Sequence, residues 1–86
     1  MTKKELKAAK KKMLAWLYGQ DPDATYDYAS TDKCAVSLYA AELDAAYYDF
    51  SFLDSGGVFA TTPHTYGAAA NRLRENIMTD KEFYHV

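Results

Sequence analysis

The sequence predicts a small α+β fold in which three helices pack with a β-hairpin, in the order α-α-β-β-α. Three observations carry that expectation. Apolar residues recur at helical spacing in residues 2–18, 33–46 and 62–78. Between the second and third of these, Tyr48, Phe50 and Phe52 alternate with Asp49 and Ser51, the two-residue period of a half-exposed strand. The length, 86 residues, allows one domain, residues 1–86. A chain of this size buries only about two-thirds of its unfolded surface, so the core is thin.

The first helix runs from Thr2 to Tyr18. Thr2 and Glu5 have capping-box spacing, so the hydroxyl and the carboxylate can satisfy the first free N–H groups. Leu6, Ala9, Met13, Trp16 and Leu17 form its apolar face. Lys3, Lys4, Lys7, Lys10 and Lys11 spread along one flank, with Lys12 nearer the other side. Gly19 suits the C′ position, and Asp21-Pro22 stops the helix. Residues 21–28 read as a turn and an extended stretch. Ser30, Thr31 and Asp32 are competent N-caps for a second helix over roughly Lys33–Ala46, apolar on nearly all sides and therefore central.

Tyr47–Leu53 is the predicted first strand, Asp54-Ser55-Gly56-Gly57 its turn and Val58–Thr61 the returning strand. Continuation of the second helix through Tyr47 and Tyr48 is the competing reading. Thr62-Pro63 or Thr65 opens a third helix to about Met78, with Tyr66, Ala69, Ala70, Leu73 and Ile77 buried and Arg72, Arg74 and Glu75 outside. Thr79-Asp80 closes it, and Lys81–Val86 has the length for a packed tail or a short C-terminal strand.

Composition narrows the class. Hydrophobic residues make up 49% and charged residues 26%, a globular rather than a disordered balance. The longest uncharged stretch, Ser55–Asn71, is interrupted by Gly56, Gly57, Pro63 and Gly67, so no membrane-spanning helix is expected. The lysine-rich start is followed by no long apolar run, which argues against a secretory signal. Cys34 is the single cysteine, which excludes an internal disulfide and fits a reducing, cytoplasmic compartment.

The net charge of -2 conceals a division. Six lysines against Glu5 give residues 1–20 a charge of +5. Seven aspartates and Glu42 against Lys33 give residues 21–56 a charge of -7, and the remainder cancels. The acidic segment also carries Tyr26, Tyr28, Tyr39, Tyr47, Tyr48, Phe50 and Phe52. Such asymmetry is a partner signal.

The usual chemistries find little footing. No CxxC, HxxxH or HExxH occurs among Cys34, His64, His85 and the carboxylates, so no metal or other cofactor is expected. Ser55 and His64 are the nearest to a nucleophile and base, but Ser55-Gly56-Gly57 lacks the strand–nucleophile–helix setting, and catalysis is not expected. Gly56-Gly57 precedes no GK[ST] and reads as a turn rather than a phosphate loop.

Two surfaces remain. The lysines of the first helix, Lys3, Lys4, Lys7, Lys10 and Lys11, could neutralise nucleic-acid phosphates, though no arginine accompanies them to read bases. A solvated helix face explains them as well. The acidic middle is the stronger candidate: Tyr26, Asp27, Tyr28, Asp44, Tyr47, Tyr48 and Asp49 combine carboxylates that imitate phosphates with flat amphipathic rings. Asp21, Asp23, Asp32 and Asp54 read more simply as turn and cap residues.

The runs TYDYAS–x–x–x–CAVSLY (Thr25–Tyr39) and TPHTYGAAANRL (Thr62–Leu73) resemble segments of small uncharacterised phage and prophage proteins, over about a third of the chain. The resemblance implies a mobile-element accessory protein in a bacterial cytoplasm, where tiny proteins without catalytic groups often inhibit host defence, as anti-CRISPR proteins that imitate DNA do. It transfers no functional residue. The partner expected is a host protein with a basic groove, such as a CRISPR effector subunit, met by a monomer or weak dimer. The alternative is a small nucleic-acid-binding or regulatory protein acting through the first helix.

Overall fold

Four helices and a set of turns build the molecule in the computed structural model, which describes residues 2–54 and 56–83, the last four of them as backbone alone. They are α1 (Lys3–Tyr18), α2 (Ala35–Glu42), α3 (Tyr47–Phe50), which passes into a 3-10 turn at Ser51–Leu53, and α4 (Tyr66–Phe83). No β-strand occurs among the described residues. The expected α+β class is therefore incorrect, and the fold is helical.

α1 forms as its sequence requires. Thr2 Oγ1 accepts from the Glu5 N–H at 3.1 Å, and Glu5 Oε1 accepts from the Thr2 N–H at 3.1 Å. The Thr2 N–H first, and the Thr2 side chain second, hydrogen-bond to the Glu5 carboxylate and hold it below the ordinary glutamate value of 4.5. α1 packs on α4 through Met13 and Leu17 against a stripe of Tyr66, Ala69, Ala70, Leu73 and Ile77, all buried. Lys10 joins this interface, 7% exposed, with its Nζ donating to Asn76 Oδ1 at 2.7 Å.

The segment between α1 and α2 meets the entry to α4. A single antiparallel bridge links Thr25 and Thr65. The Tyr26 N–H donates to the His64 carbonyl, Tyr66 to Ala24 and Gly67 to Pro22, each at 3.0 Å. Gly67 is required there, because a Cβ would lie 2.9 Å from the Pro22 Cβ and 3.0 Å from its carbonyl oxygen. Thr65, rather than Thr62-Pro63, caps α4, its Oγ1 accepting from the Ala68 N–H at 3.2 Å. α4 continues past the expected stop at Thr79-Asp80 to Phe83. The expected strand or tail over residues 81–86 is thus helical to Phe83, and residues 84–86 lie outside the described residues.

α2 is shorter than expected. Its buried residues, Ala35, Val36, Ser37, Tyr39 and Ala40, fill the N-terminal part, while Ala41, Glu42 and Leu43 are exposed. The helix closes in a Schellman arrangement: the Ala45 N–H reaches the Ala40 carbonyl at 2.9 Å and the Asp44 N–H reaches Ala41 at 3.1 Å. Asp44 takes the left-handed position with φ +55°.

The expected hairpin fails for two physical reasons. Asp49 Oδ2 accepts from the Ala46 N–H at 3.0 Å, which closes a helical turn at the start of the supposed strand. On the return side, the carbonyls a partner strand would use go elsewhere. Gly57 accepts from both the Thr61 N–H and hydroxyl, at 3.1 and 2.7 Å, and Val58 accepts from Arg72 Nε at 2.6 Å. Gly56 and Gly57 do adopt positive φ, +67° and +72°, but within successive turns. The apolar residues are buried nonetheless: Leu53, Val58 and Phe59 enter the core, and Phe50 packs on Tyr39 with centroids 5.3 Å apart.

Candidate functional site

The loop before α2 and the start of α3 face each other across a cleft of about 470 Å³. Tyr28 to Asp32 and Cys34 form one wall, with Ala46, Tyr47, Tyr48 and Asp54 opposite. The loop wall is shaped by short polar side chains. Asp27 Oδ1 accepts from the Ala29 N–H at 3.2 Å, and Ser30 Oγ accepts from the Asp32 and Lys33 N–H groups at 3.2 and 3.0 Å. Ser37 Oγ donates back to the Thr31 carbonyl at 2.6 Å and accepts from Cys34 Sγ at 3.2 Å, which anchors the loop to α2. Ser30, Thr31 and Asp32 thus organise the approach, while Cys34 occupies the N-cap position.

The opposite wall is set by Asp49, whose bond to the Ala46 N–H turns the chain and places Tyr47 and Tyr48 side by side. Their rings lie 5.7 Å apart at 75°. The Tyr47 hydroxyl donates to Asp54 Oδ2 at 3.3 Å. Burial pushes the Tyr47 phenol above its ordinary value of 10, aided by the charge and hydrogen bond of Asp54 and by Cys34 and Tyr28 nearby. The phenol therefore stays protonated at neutral pH, and the carboxylate stays held.

The residues named from sequence divide clearly. Tyr28, Tyr47 and Tyr48 come together in the cleft, and Tyr48 is 85% exposed. Tyr26 does not join them: it is 4% exposed, and its hydroxyl donates to the Phe59 carbonyl at 2.8 Å. Its contribution is indirect, because the His64 ring stacks on Tyr26 and also lies 5.5 Å from Tyr28. Asp27, Asp44 and Asp49 are exposed, but each also serves the backbone, as Asx turn, left-handed C′ residue and N-terminal cap respectively. Asp27 borders a second depression with Thr25, Tyr26, Lys33 and Leu38.

Asp32 and Asp54, read from sequence as cap and turn residues, line the cleft instead. The signal for them was their place four and six residues after Tyr28 and Tyr48, in the segment of net charge -7. On the basic side, Lys3, Lys4, Lys7, Lys11 and Lys12 are exposed, while Lys10 is withdrawn into the α1–α4 interface and leaves the expected phosphate-binding set. His64 Nε2 bonds the Ala60 carbonyl at 2.9 Å, and Ser55 lies outside the described residues. Among the described residues no three His, Cys, Asp or Glu side chains gather as a metal-binding set. No described helix is long and apolar enough to cross a membrane. Compared with protein-family models, curated proteins and solved structures, the chain matches none.

Proposed function

We propose that this chain is a non-enzymatic binding protein that occupies a basic, nucleic-acid-binding site on another protein, in the manner of a phage-type inhibitor of host defence such as an anti-CRISPR protein. The observation that carries the reading is the cleft, where Tyr28, Tyr47 and Tyr48 meet Asp32 and Asp54 within the segment of charge -7. Exposed tyrosines supply rigid contact area at little entropic cost, and carboxylates steer a basic surface toward them. The phage setting rests on the resemblance of Thr25–Tyr39 and Thr62–Leu73 alone.

The test is capture of proteins from a bacterial lysate on the immobilised chain, with duplex DNA as competitor. Asp27→Asn, Asp44→Asn and Asp49→Asn together remove charge but keep turn and cap chemistry, since Asn caps and adopts the left-handed region as Asp does. The expected result is a basic protein displaced by DNA and held more weakly by the triple variant. Capture indifferent to both would overturn the reading. So would tight binding of the chain itself to duplex DNA with a steep salt dependence lost on replacing Lys4, Lys7 and Lys11.

A further inference from the structure

Deepening that reading and resting on it, we propose that the cleft between Tyr28 and the Tyr47–Tyr48 pair receives one arginine side chain of the partner protein. The cleft holds the two kinds of group that a guanidinium uses. Tyr47 and Tyr48, at 75° to one another, offer ring faces in two orientations, and a planar cation is attracted to such faces. Asp54, half-buried, is held through Oδ2 by the Tyr47 hydroxyl, so its position is set before a ligand arrives. A carboxylate has lone pairs for several donors, and the guanidinium fork supplies five N–H groups in one plane. Asp32 brings a second carboxylate to the same space, and among the described residues no Lys, Arg or His lines it.

The size of the cleft separates arginine from smaller cations. At about 470 Å³ it has room for a guanidinium with its three-carbon stem and part of the adjoining backbone. A lysine ammonium is compact and strongly hydrated, and it neither stacks on a ring nor grips a carboxylate in two places. An anion is disfavoured by both carboxylates. The competing occupant is a second copy, offering its lysine-rich α1 to the cleft. That contact would be head-to-tail and would lengthen with concentration.

The experiment uses the full chain and a capped hexapeptide of Gly and Ser with one central arginine, compared with the same peptide bearing lysine or citrulline. Calorimetry should show the arginine peptide binding about tenfold more tightly than the citrulline peptide, which keeps the shape and loses the charge. Tyr48→Ala, at a position 85% exposed and so without cost to the fold, should abolish that preference, and Tyr48→Phe should keep it. Asp54→Asn should reduce it about threefold, since Asp32 keeps a second carboxylate in the cleft. Equal binding of the arginine and citrulline peptides, or a preference that survives Tyr48→Ala, would sink the arginine assignment. Concentration-dependent self-association removed by Tyr48→Ala would give the cleft to a second copy and overturn it equally. Failure here beside DNA-displaceable capture from lysate leaves the broader function standing. Capture that DNA does not displace removes the broader function whatever the peptide does.

Discussion

Replacing Arg72 tests the reasoning most directly, because the side chain is the tie between α4, the turns after the 3-10 segment and the buried Tyr26. Its Nε donates to the Val58 carbonyl at 2.6 Å, and its Nη2 donates to the Pro63 carbonyl at 3.2 Å and the Tyr26 hydroxyl at 3.3 Å. The short bond dominates. A hydrogen bond from a charged donor contributes about 1.5–3 kcal/mol, and it ends on the carbonyl of a residue only 4% exposed. The two longer bonds add little, since Arg72 is only half-buried. Arg72→Ala should therefore cost about 2–3 kcal/mol, and Arg72→Lys about 1–2, because an ammonium can recover one of the three bonds. For a domain of this length that is a fall in Tm of about 10–20 °C for the alanine variant. Urea titration should show a lower midpoint with an unchanged slope. A second readout separates the mechanism from general weakening. Burial raises the Tyr26 phenol and the Arg72 charge opposes it, so a folded Arg72→Ala protein should ionise that phenol at still higher pH. Arg74→Ala, on the exposed face, is the control and should stay within about 0.5 kcal/mol. An Arg72→Ala cost no greater than that of Arg74→Ala would refute the assigned role.

Gly67→Ala should destabilise by about 1 kcal/mol in chemical denaturation, although alanine is the better helix former, because the added Cβ meets Pro22 at 2.9 Å. Asp44→Gly should stabilise by about 0.5–1 kcal/mol by relieving the left-handed residue at φ +55°, with Asp44→Asn near neutral by the same measurement. Glu5 carries a pH dependence of fixed sign. Its folded pKa lies below 4.5, so its capping contribution is complete above that pH and is lost as pH falls through the lower folded value. Glu5→Gln keeps the capping box without titrating, and acid circular dichroism should find a difference between variant and native α1 helicity that opens as pH falls below 4.5 and persists at lower pH. A difference that persists unchanged at neutral pH would argue against the capping assignment.

Elements with a strong period and local caps were legible. α1 follows its 3.6-residue stripe and the Thr2–Glu5 box, and the buried stripe of α4 matches Tyr66, Ala69, Ala70, Leu73 and Ile77. The error fell on residues 47–61, where Tyr48, Phe50 and Phe52 alternate as in a strand. Alternation reports which side chains are apolar, but a strand also needs a partner for its carbonyls. Arg72 reaches back fourteen residues to take the Val58 carbonyl, and no window around Val58 contains that information. Lys10 was misplaced for a related reason: only the docking of Asn76 turns a flank lysine into an interface residue. Within the site, the paired tyrosines were legible as aromatic signals, and Tyr26 was misassigned because its burial depends on Phe59, Tyr66 and His64 arriving from distant sequence.

The backbone duties of Asp27, Asp44 and Asp49 do not compete with a role in recognition. Asp27 bonds the Ala29 N–H through Oδ1 and Asp49 bonds the Ala46 N–H through Oδ2, and each carboxylate retains lone pairs for further donors. A free surface aspartate must lose its rotamer freedom when a partner arrives, whereas these two have already lost theirs on folding. The same argument applies to Asp54 through Tyr47. Turn chemistry thus leaves the same side chains able to meet a partner's donors. Neutral asparagine replacements, which preserve the first use and delete the charge of the second, are the substitutions able to tell them apart.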